Sequence, residues 1–295
     1  MGPKAGTIVV GVDGSESSTR ALAWAVEQAV AEDRALTLVH TVHTVTPAYL
    51  DAAIVSPHDA RAMLQAEGQK VLDDAHHTVQ STAPDLEVHE VFDYADPREL
   101  LLQLSKDAAM LVLGSRGRGQ LRSLLSGSVG VALVRHAQCP VVIHRPGNRG
   151  TVRNGIVVGA DSSDDSPPIL EFAYREASLR KLPLTVLCCY WNIQAGTMGA
   201  YPGTNSAAQQ EAERVAVDES VAGLAEKYPD VNASIQMAQG RPQEVLLRLG
   251  DRMNLIVVGA HQANRAAQVV FGSVSVAVVE HSNCPVAVVP VSTPR

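Results

Sequence analysis

Aromatic residues are scarce in this chain: Phe, Tyr and Trp together make up 4% of its 295 residues. Sequence-tolerant binding of single-stranded nucleic acid relies on bases stacked on aromatic side chains, so that class of function is disfavoured. Positive charge is in short supply too. The formal net charge of −7 divides as −5 over residues 1–148 and −2 over residues 149–295, and neither half carries the footprint of a binder of nucleic acid or anionic membrane. There are four cysteines, Cys139, Cys188, Cys189 and Cys284, in or beside apolar runs and without Cys-x-x-Cys pairing. That usage argues against a disulfide framework or a zinc ribbon and fits a reduced, cytoplasmic setting. No apolar stretch approaches the roughly 20 residues a membrane-crossing helix needs. Met1-Gly-Pro-Lys4 leads straight into a strand pattern, without the basic region and apolar core of a secretory signal. The expectation is a soluble cytoplasmic protein with no nucleic-acid or membrane partner.

Catalytic signatures are missing as well. The chain has no His-Glu-x-x-His, no Gly-x4-Gly-Lys-Ser/Thr and no Ser-Gly-Gly-x-Asp-Ser, which disfavours a zinc hydrolase, a P-loop nucleotidase and an ATP pyrophosphatase. His76 and His77 are neighbours on a predicted helix and cannot face one metal site together. His136 and His281 recur near the ends of equivalent helices, where the dipole and free carbonyls favour histidine for structural reasons. Cys139 and Cys284 each precede a proline and a buried strand and read as small core residues. No catalytic residue and no metal ligand is assigned.

What the chain has in quantity is aliphatic residues, arranged twice over. Apolar residues make up 46% of it, enough to fill the core of an α/β protein whose parallel strands are covered on both faces. Thr7-Ile-Val-Val-Gly-Val-Asp-Gly-Ser15 returns as Gly155-Ile-Val-Val-Gly-Ala-Asp-Ser-Ser163, and Leu36–Val42 returns as Leu184–Tyr190, both at an offset of 148. Gly127–Val141 returns as Gly272–Val286 at an offset of 145. Two long copies imply a tandem duplication rather than a short-period solenoid. The copies span 1–146 and 152–295 and are joined through the turn-rich Arg145–Arg153.

Each copy alternates strand and helix patterns. In copy one, strands are predicted at Ile8–Val12, Leu36–Val42, Leu86–Phe92, Ala109–Leu113 and Val141–His144. Helices are predicted at Ser15–Ala31, Ala60–Val79, Pro97–Lys106 and Ser128–His136, the first capped by Ser15 or Ser17 and burying Leu22, Val26, Ala29 and Val30. This pattern implies a parallel sheet with right-handed crossovers and helices on both faces; the expected architecture is two flavodoxin-like or Rossmann-like domains, each with five strands in the order 3-2-1-4-5. The fifth strands, Val141–His144 and Val286–Val289, are exposed edges suited to pairing with each other. Ligands of such folds lie beyond the carboxyl ends of the strands, where the strand order reverses.

There the sequence places Gly114-Ser-Arg-Gly117, nine further residues, and Gly127-Ser128 at the mouth of a helix. Glycines allow close approach of backbone to an anion, and the first amides of a helix point at the same place. Arg116, Arg118 and Arg122 give this loop a local charge of +3 with no acid, and guanidinium groups match phosphate oxygens. The alternative is a turn that merely connects strand to helix. Asp13 and Asp161, just past the first strand of each copy, have helix capping as an alternative or an additional role.

On these motifs the whole chain resembles the tandem universal stress proteins of actinobacteria. The ATP-binding subclass of that family carries Gly-x2-Gly-x9-Gly-Ser/Thr, matched here by Gly114, Gly117, Gly127 and Ser128. The resemblance implies that Gly11 and Asp13 serve the adenosine end of ATP, and that the backbone near Val39 and His40 meets the adenine. It further implies that Arg116 and the amides of Gly117, Ser128 and Val129 hold the phosphates, with Mg carried by those phosphates. Copy two keeps Gly159, Asp161, Gly259, Gly272 and Ser273 as counterparts but has Gln262 where the second loop glycine is due. The implied function is a nucleotide-responsive stress regulator with at most weak ATPase activity, a homodimer of tandem chains that signals to an unidentified protein partner. The rival readings are a slow ATP hydrolase and an interaction module whose second domain has lost nucleotide.

Overall fold

The computed structural model describes residues 4–42, 57–115, 128–145, 153–161, 163, 165–190, 207–261 and 273–291. The chain divides into two compact units, Met1–His144 and Arg145–Arg295. The first contains β1 (Ile8–Gly11), α1 (Glu16–Ala31), β2 (Leu36–Thr41), α2 (Pro57–Thr82), β3 (Val88–Asp93), α3 (Pro97–Leu104), β4 (Met110–Gly114), α4 (Ser128–His136) and β5 (Val141–His144). The second contains β6 (Ile156–Gly159), α5 (Ser166–Arg180), β7 (Leu184–Tyr190), α6 (Ala207–Lys227), β8 (Ala233–Gln239), α7 (Pro242–Gly250), β9 (Leu255–His261), α8 (Ser273–His281) and β10 (Val286–Val291).

Within the first unit the strands lie in the order β3-β2-β1-β4-β5, and within the second β8-β7-β6-β9-β10. Every neighbouring pair inside a unit is parallel. The central strand β1 matches Ile8 to Leu36 on β2 and to Met110 on β4. All three of those side chains are buried, as are Val10, Leu38 and Val112 beside them. A strand flanked on both edges and covered on both faces has no solvent side, which is why β1, β4, β6 and β9 read as unbroken Val/Ile/Leu runs instead of alternating.

The helices begin where the sequence provides a cap. Ser15 caps α1, its Oγ accepting the Ser18 N–H at 3.2 Å. Asp96 caps α3, accepting the Arg98 N–H at 2.8 Å, and Pro97 takes the first helical position, where no amide is needed. The described ends depart from the predicted ones for local reasons. Leu86 is not in β3, because its N–H turns back to the Ala83 carbonyl at 3.1 Å and the ladder begins only beyond it. Lys106 is not in α3, because its N–H bonds the Gln103 carbonyl in a tighter closing turn. β10 runs two residues past the predicted Val289, pairing Pro290 with Ala260 and Val291 with His261.

One predicted core residue is corrected. The buried stripe of α1 runs through Ala21, Leu22, Ala25, Val26 and Ala29, whereas Val30 is 57% exposed. Val30 follows the stripe's last member by one residue, a turn of about 100° on a helix, and so leaves the face that meets the sheet. Leu22→Ala is therefore expected to lower the stability of the first unit by about 2–5 kcal/mol, and Val30→Ala by less than about 0.5 kcal/mol. Urea denaturation followed by circular dichroism checks the pair; equal costs would put Val30 back in the core.

Candidate functional site

Parallel pairing brings the carboxyl ends of β1, β2 and β4 to one edge of the first unit's sheet. The chain leaves β1 toward β2 on one side, while β4 lies on the other, so the two outgoing loops diverge at this edge. The first loop is Val12-Asp13-Gly14-Ser15. Val12 is buried, and its N–H continues the ladder to the Val39 carbonyl at 2.9 Å. Asp13 is half-buried, and its Oδ1 accepts the Ser15 N–H at 3.0 Å. Ser18 Oγ donates to the Ser15 carbonyl at 2.9 Å and lies 3.4 Å from the Asp13 N–H. Gly14 sits at φ +73°, a conformation that side chains with a Cβ rarely adopt. Asp13 is thus not the cap of α1; it closes a turn two residues ahead of the capping serine.

The second loop starts at Gly114, the last residue of β4. A Cβ built on Gly114 would stand 2.7 Å from both the carbonyl carbon and the oxygen of Ser17, in the first turn of α1. The two sides of the crevice therefore touch through backbone, and only glycine permits it. Ser115 follows, buried, with its N–H bonded to the His144 carbonyl at 3.0 Å. Arg116, Gly117 and Gly127, together with Arg118 and Arg122, lie outside the described residues. The chain is described again at Ser128, exposed, and Val129, half-buried, which open α4. The structure thus brings together at one edge Gly11, Asp13, Val39, His40 and Gly114.

The second unit repeats this edge with changes. Gly159 ends β6, and the Ala160 N–H bonds the Leu187 carbonyl at 3.0 Å, as Val12 does to Val39. Asp161 is exposed, and its Oδ1 lies within reach of the Ser163 N–H at 3.0 Å, the Ser163 hydroxyl at 2.5 Å and the Ser166 hydroxyl at 2.9 Å. Nor does Asp161 cap its helix, since the cap position of α5 is Asp165. Gly259 lies within β9, with the side chain of Ile169 against the place a Cβ would take. β9 continues through Ala260 to His261, still paired with β10. The positions matching Ser115 and Arg116 are thus part of the ladder here. Gln262, Arg265 and Gly272 lie outside the described residues, and Ser273 is the first residue of α8.

Two features were not evident in the sequence. His40 does more than lend its backbone: its Nδ1 lies 2.7 Å from the Val12 carbonyl oxygen. The hydroxyls of Ser163 and Ser166 gather on Asp161. Both are contacts across a turn or between strands, and only the recurrence of Ser at positions 18 and 166 hinted at the second.

The remaining chemistry-bearing residues stand apart from this edge. His76 is bonded through Nδ1 to Glu90 of β3, and among the described residues no group of three His, Cys, Asp or Glu could hold a metal ion. His136 and His281 are exposed in the last turns of α4 and α8. Cys139 and Cys284 are buried. Burial pushes their thiols up to about 12 and about 11 respectively. Among the described residues no helix is long and apolar enough to cross a membrane.

The sequence model of the Universal stress protein family matches residues 4–145 and 153–290. The universal stress protein Rv2005c of Mycobacterium tuberculosis is 32% identical over 288 residues, covering 95% of this chain and 96% of that protein. Rv2623 of the same organism is 30% identical over 287 residues, covering 95% of each. A crystal structure of a universal stress protein from Archaeoglobus fulgidus superimposes with a TM-score of 0.70 at 16% identity, over 97% of this chain and 96% of that one.

Two outcomes follow from the site's packing. Gly114→Ala is expected to destabilise the first unit by about 1–3 kcal/mol, because the added methyl meets main chain that cannot rotate away; an unchanged urea midpoint would mean α1 yields freely. For the thiols, Cys139 and Cys284 are expected to resist a disulfide reagent at pH 8 in the folded protein and to react after denaturation. The buried neutral thiols favour the native state up to their ordinary value of 9.0, and that contribution declines as pH rises from there toward about 12 for Cys139 and about 11 for Cys284, because only the unfolded chain ionises in that window.

Proposed function

The chain belongs to the universal stress protein family, and from that premise we propose that its first unit is an ATP-binding module whose nucleotide state regulates a partner, rather than the active site of an enzyme. The observation that carries this reading is the divergence of the loops that leave β1 and β4 at the strand reversal. One is a fixed Asp13 turn; the other leaves through Gly114 into a loop whose sequence holds three arginines and two further glycines before α4. Asp13, with Gly11 and the β2 edge at Val39 and His40, takes the nucleoside. Arg116, the amides of Gly117, Ser128 and Val129, and Gly127 as the close-approach residue take the phosphates, which carry any Mg. ATP then orders the Gly114–Gly127 loop, and the ordered surface is what a protein partner reads. The domains that act this way span 1–146 and 152–295, in a cytoplasmic chain that forms a homodimer.

The second unit, with Gly159, Asp161, Gly259, Gly272 and Ser273, is proposed as the weaker site. A specific observation favours a separate reading for it, that of an interaction module. Its carboxylate gathers hydrogen bonds from Ser163 and Ser166, and β9 runs on two residues past Gly259 to His261, paired with β10. Gln262 in place of a glycine supports the same view.

The test is to denature purified protein, quantify the nucleotide released per chain, and follow the thermal midpoint as Mg-ATP is added back. One ATP per chain is expected, with a midpoint that rises because ligand binds only the native state. Asp13→Ala and Gly127→Ala are expected to remove both the bound nucleotide and the rise. Wild-type protein that releases none and shows no shift on adding ATP defeats the proposal. Phosphate release above blank over many turnovers would restore the hydrolase reading.

A further inference from the structure

His40 stands one residue before the end of β2, and its ring reaches across to the strand beside it. Nδ1 lies 2.7 Å from the Val12 carbonyl oxygen. A carbonyl can only accept, so Nδ1 carries the proton and donates, which fixes the tautomer of the ring. The bond completes the tethering of Val12, whose N–H is already held by the Val39 carbonyl at 2.9 Å. The Val12 carbonyl belongs to the peptide unit that leads into Asp13. Both faces of that junction are thereby pinned to β2, and the Asp13 turn has little freedom left before Ser15 caps α1.

The ring is itself held by an arrangement of some cost. Phe92, paired with His40 in the β2–β3 register, lies with its ring centroid 6.3 Å away. Opposite stands Gly68, in the interior of α2. A Cβ there would come within 2.2 Å of Phe92 Cε2 and 3.0 Å of His40 Cδ2. Glycine is disfavoured within a helix relative to alanine, and here it opens a notch that the two rings fill. In the second unit the position matching His40 is Cys188 and the one matching Phe92 is Met237. A thiol is a weaker donor than an imidazole N–H.

We propose that His40 is a positioning residue of the first unit's nucleoside site: its Nδ1–H, acting through the Val12 carbonyl, holds Asp13 where it can meet the ligand, and the Gly68 notch with Phe92 holds the ring. This deepens the reading above and rests on it, because Asp13 is the group being placed.

The test uses the full chain stripped of nucleotide and titrated with Mg-ATP, taking as the first site the binding that Asp13→Ala removes. His40→Phe keeps an aromatic ring but removes the donor, and is expected to weaken that binding about fivefold to tenfold, the effect of one net hydrogen bond. His40→Asn puts an amide N–H the same number of bonds from the backbone as Nδ1, and is expected to recover most of the loss. Imidazole nitrogen resonances of the wild type are expected to report the Nδ1-protonated tautomer. Wild-type ATP binding that His40→Phe leaves intact overturns the proposal while sparing the ATP reading, as does an equal loss in the Phe and Asn variants or a ring protonated at Nε2 alone. A wild-type chain with no Asp13-dependent ATP binding overturns the ATP reading, and this proposal falls with it.

Discussion

The parallel ladder around β1 is the constraint on which the first unit depends. Because β1 pairs with β2 on one edge and β4 on the other, its backbone groups are satisfied by neighbours and its Ile8, Val9 and Val10 side chains are buried. Everything functional follows from where that pairing stops. The last ladder bond, from the Val12 N–H to the Val39 carbonyl, is the point at which a rigid strand hands over to a turn. A ligand at this edge meets groups whose positions were fixed by the core behind them, so little ordering remains to oppose binding. The second unit obeys the same constraint in β6, with Ala160 and Leu187 in the equivalent bond.

How the handover is made distinguishes the two units. In the first, the turn is pinned by a ring nitrogen from β2 and by serines that bond one another's backbone, and Gly14 takes the left-handed conformation. In the second, the Ser166 hydroxyl meets both the Asp161 backbone and its carboxylate, and the Ser163 hydroxyl joins it on the carboxylate. The motif Val-Val-Gly-x-Asp is shared, yet the chemistry presented by its aspartate is set by residues two to five positions later and by the strand next door. A repeat in sequence is therefore a repeat of the frame, and the edge of the frame is free to diverge.

The fold was legible because duplication printed its pattern twice and because buried parallel strands have an unmistakable composition. Strand order, caps such as Ser15, and the identical ends of α4 and β5 all follow from local signals. Val30 was misread because an apolar residue next to a helical stripe looks like part of it, and only the angle subtended by the sheet decides the matter. The extension of β9 to His261 was not legible, because the continuation depends on Pro290 and Val291 across the ladder. At the site, the glycine spacing points to a loop that lies outside the described residues, and the His40–Val12 bond joins residues 28 apart in the chain and leaves no periodic trace. Contacts made through backbone carbonyls carry no side-chain signature on the acceptor's side.

The notch at Gly68 has a consequence for how this protein can change. Restoring a side chain there would drive it into Phe92, whose ring is a bond length too close to tolerate even a methyl. Shrinking Phe92 or His40 first would leave a void against the bare helix. Each single step from the present trio is downhill in stability, so the three positions are expected to be replaced together or not at all. The gap in α2 thus couples residues 40, 68 and 92 through one shared volume.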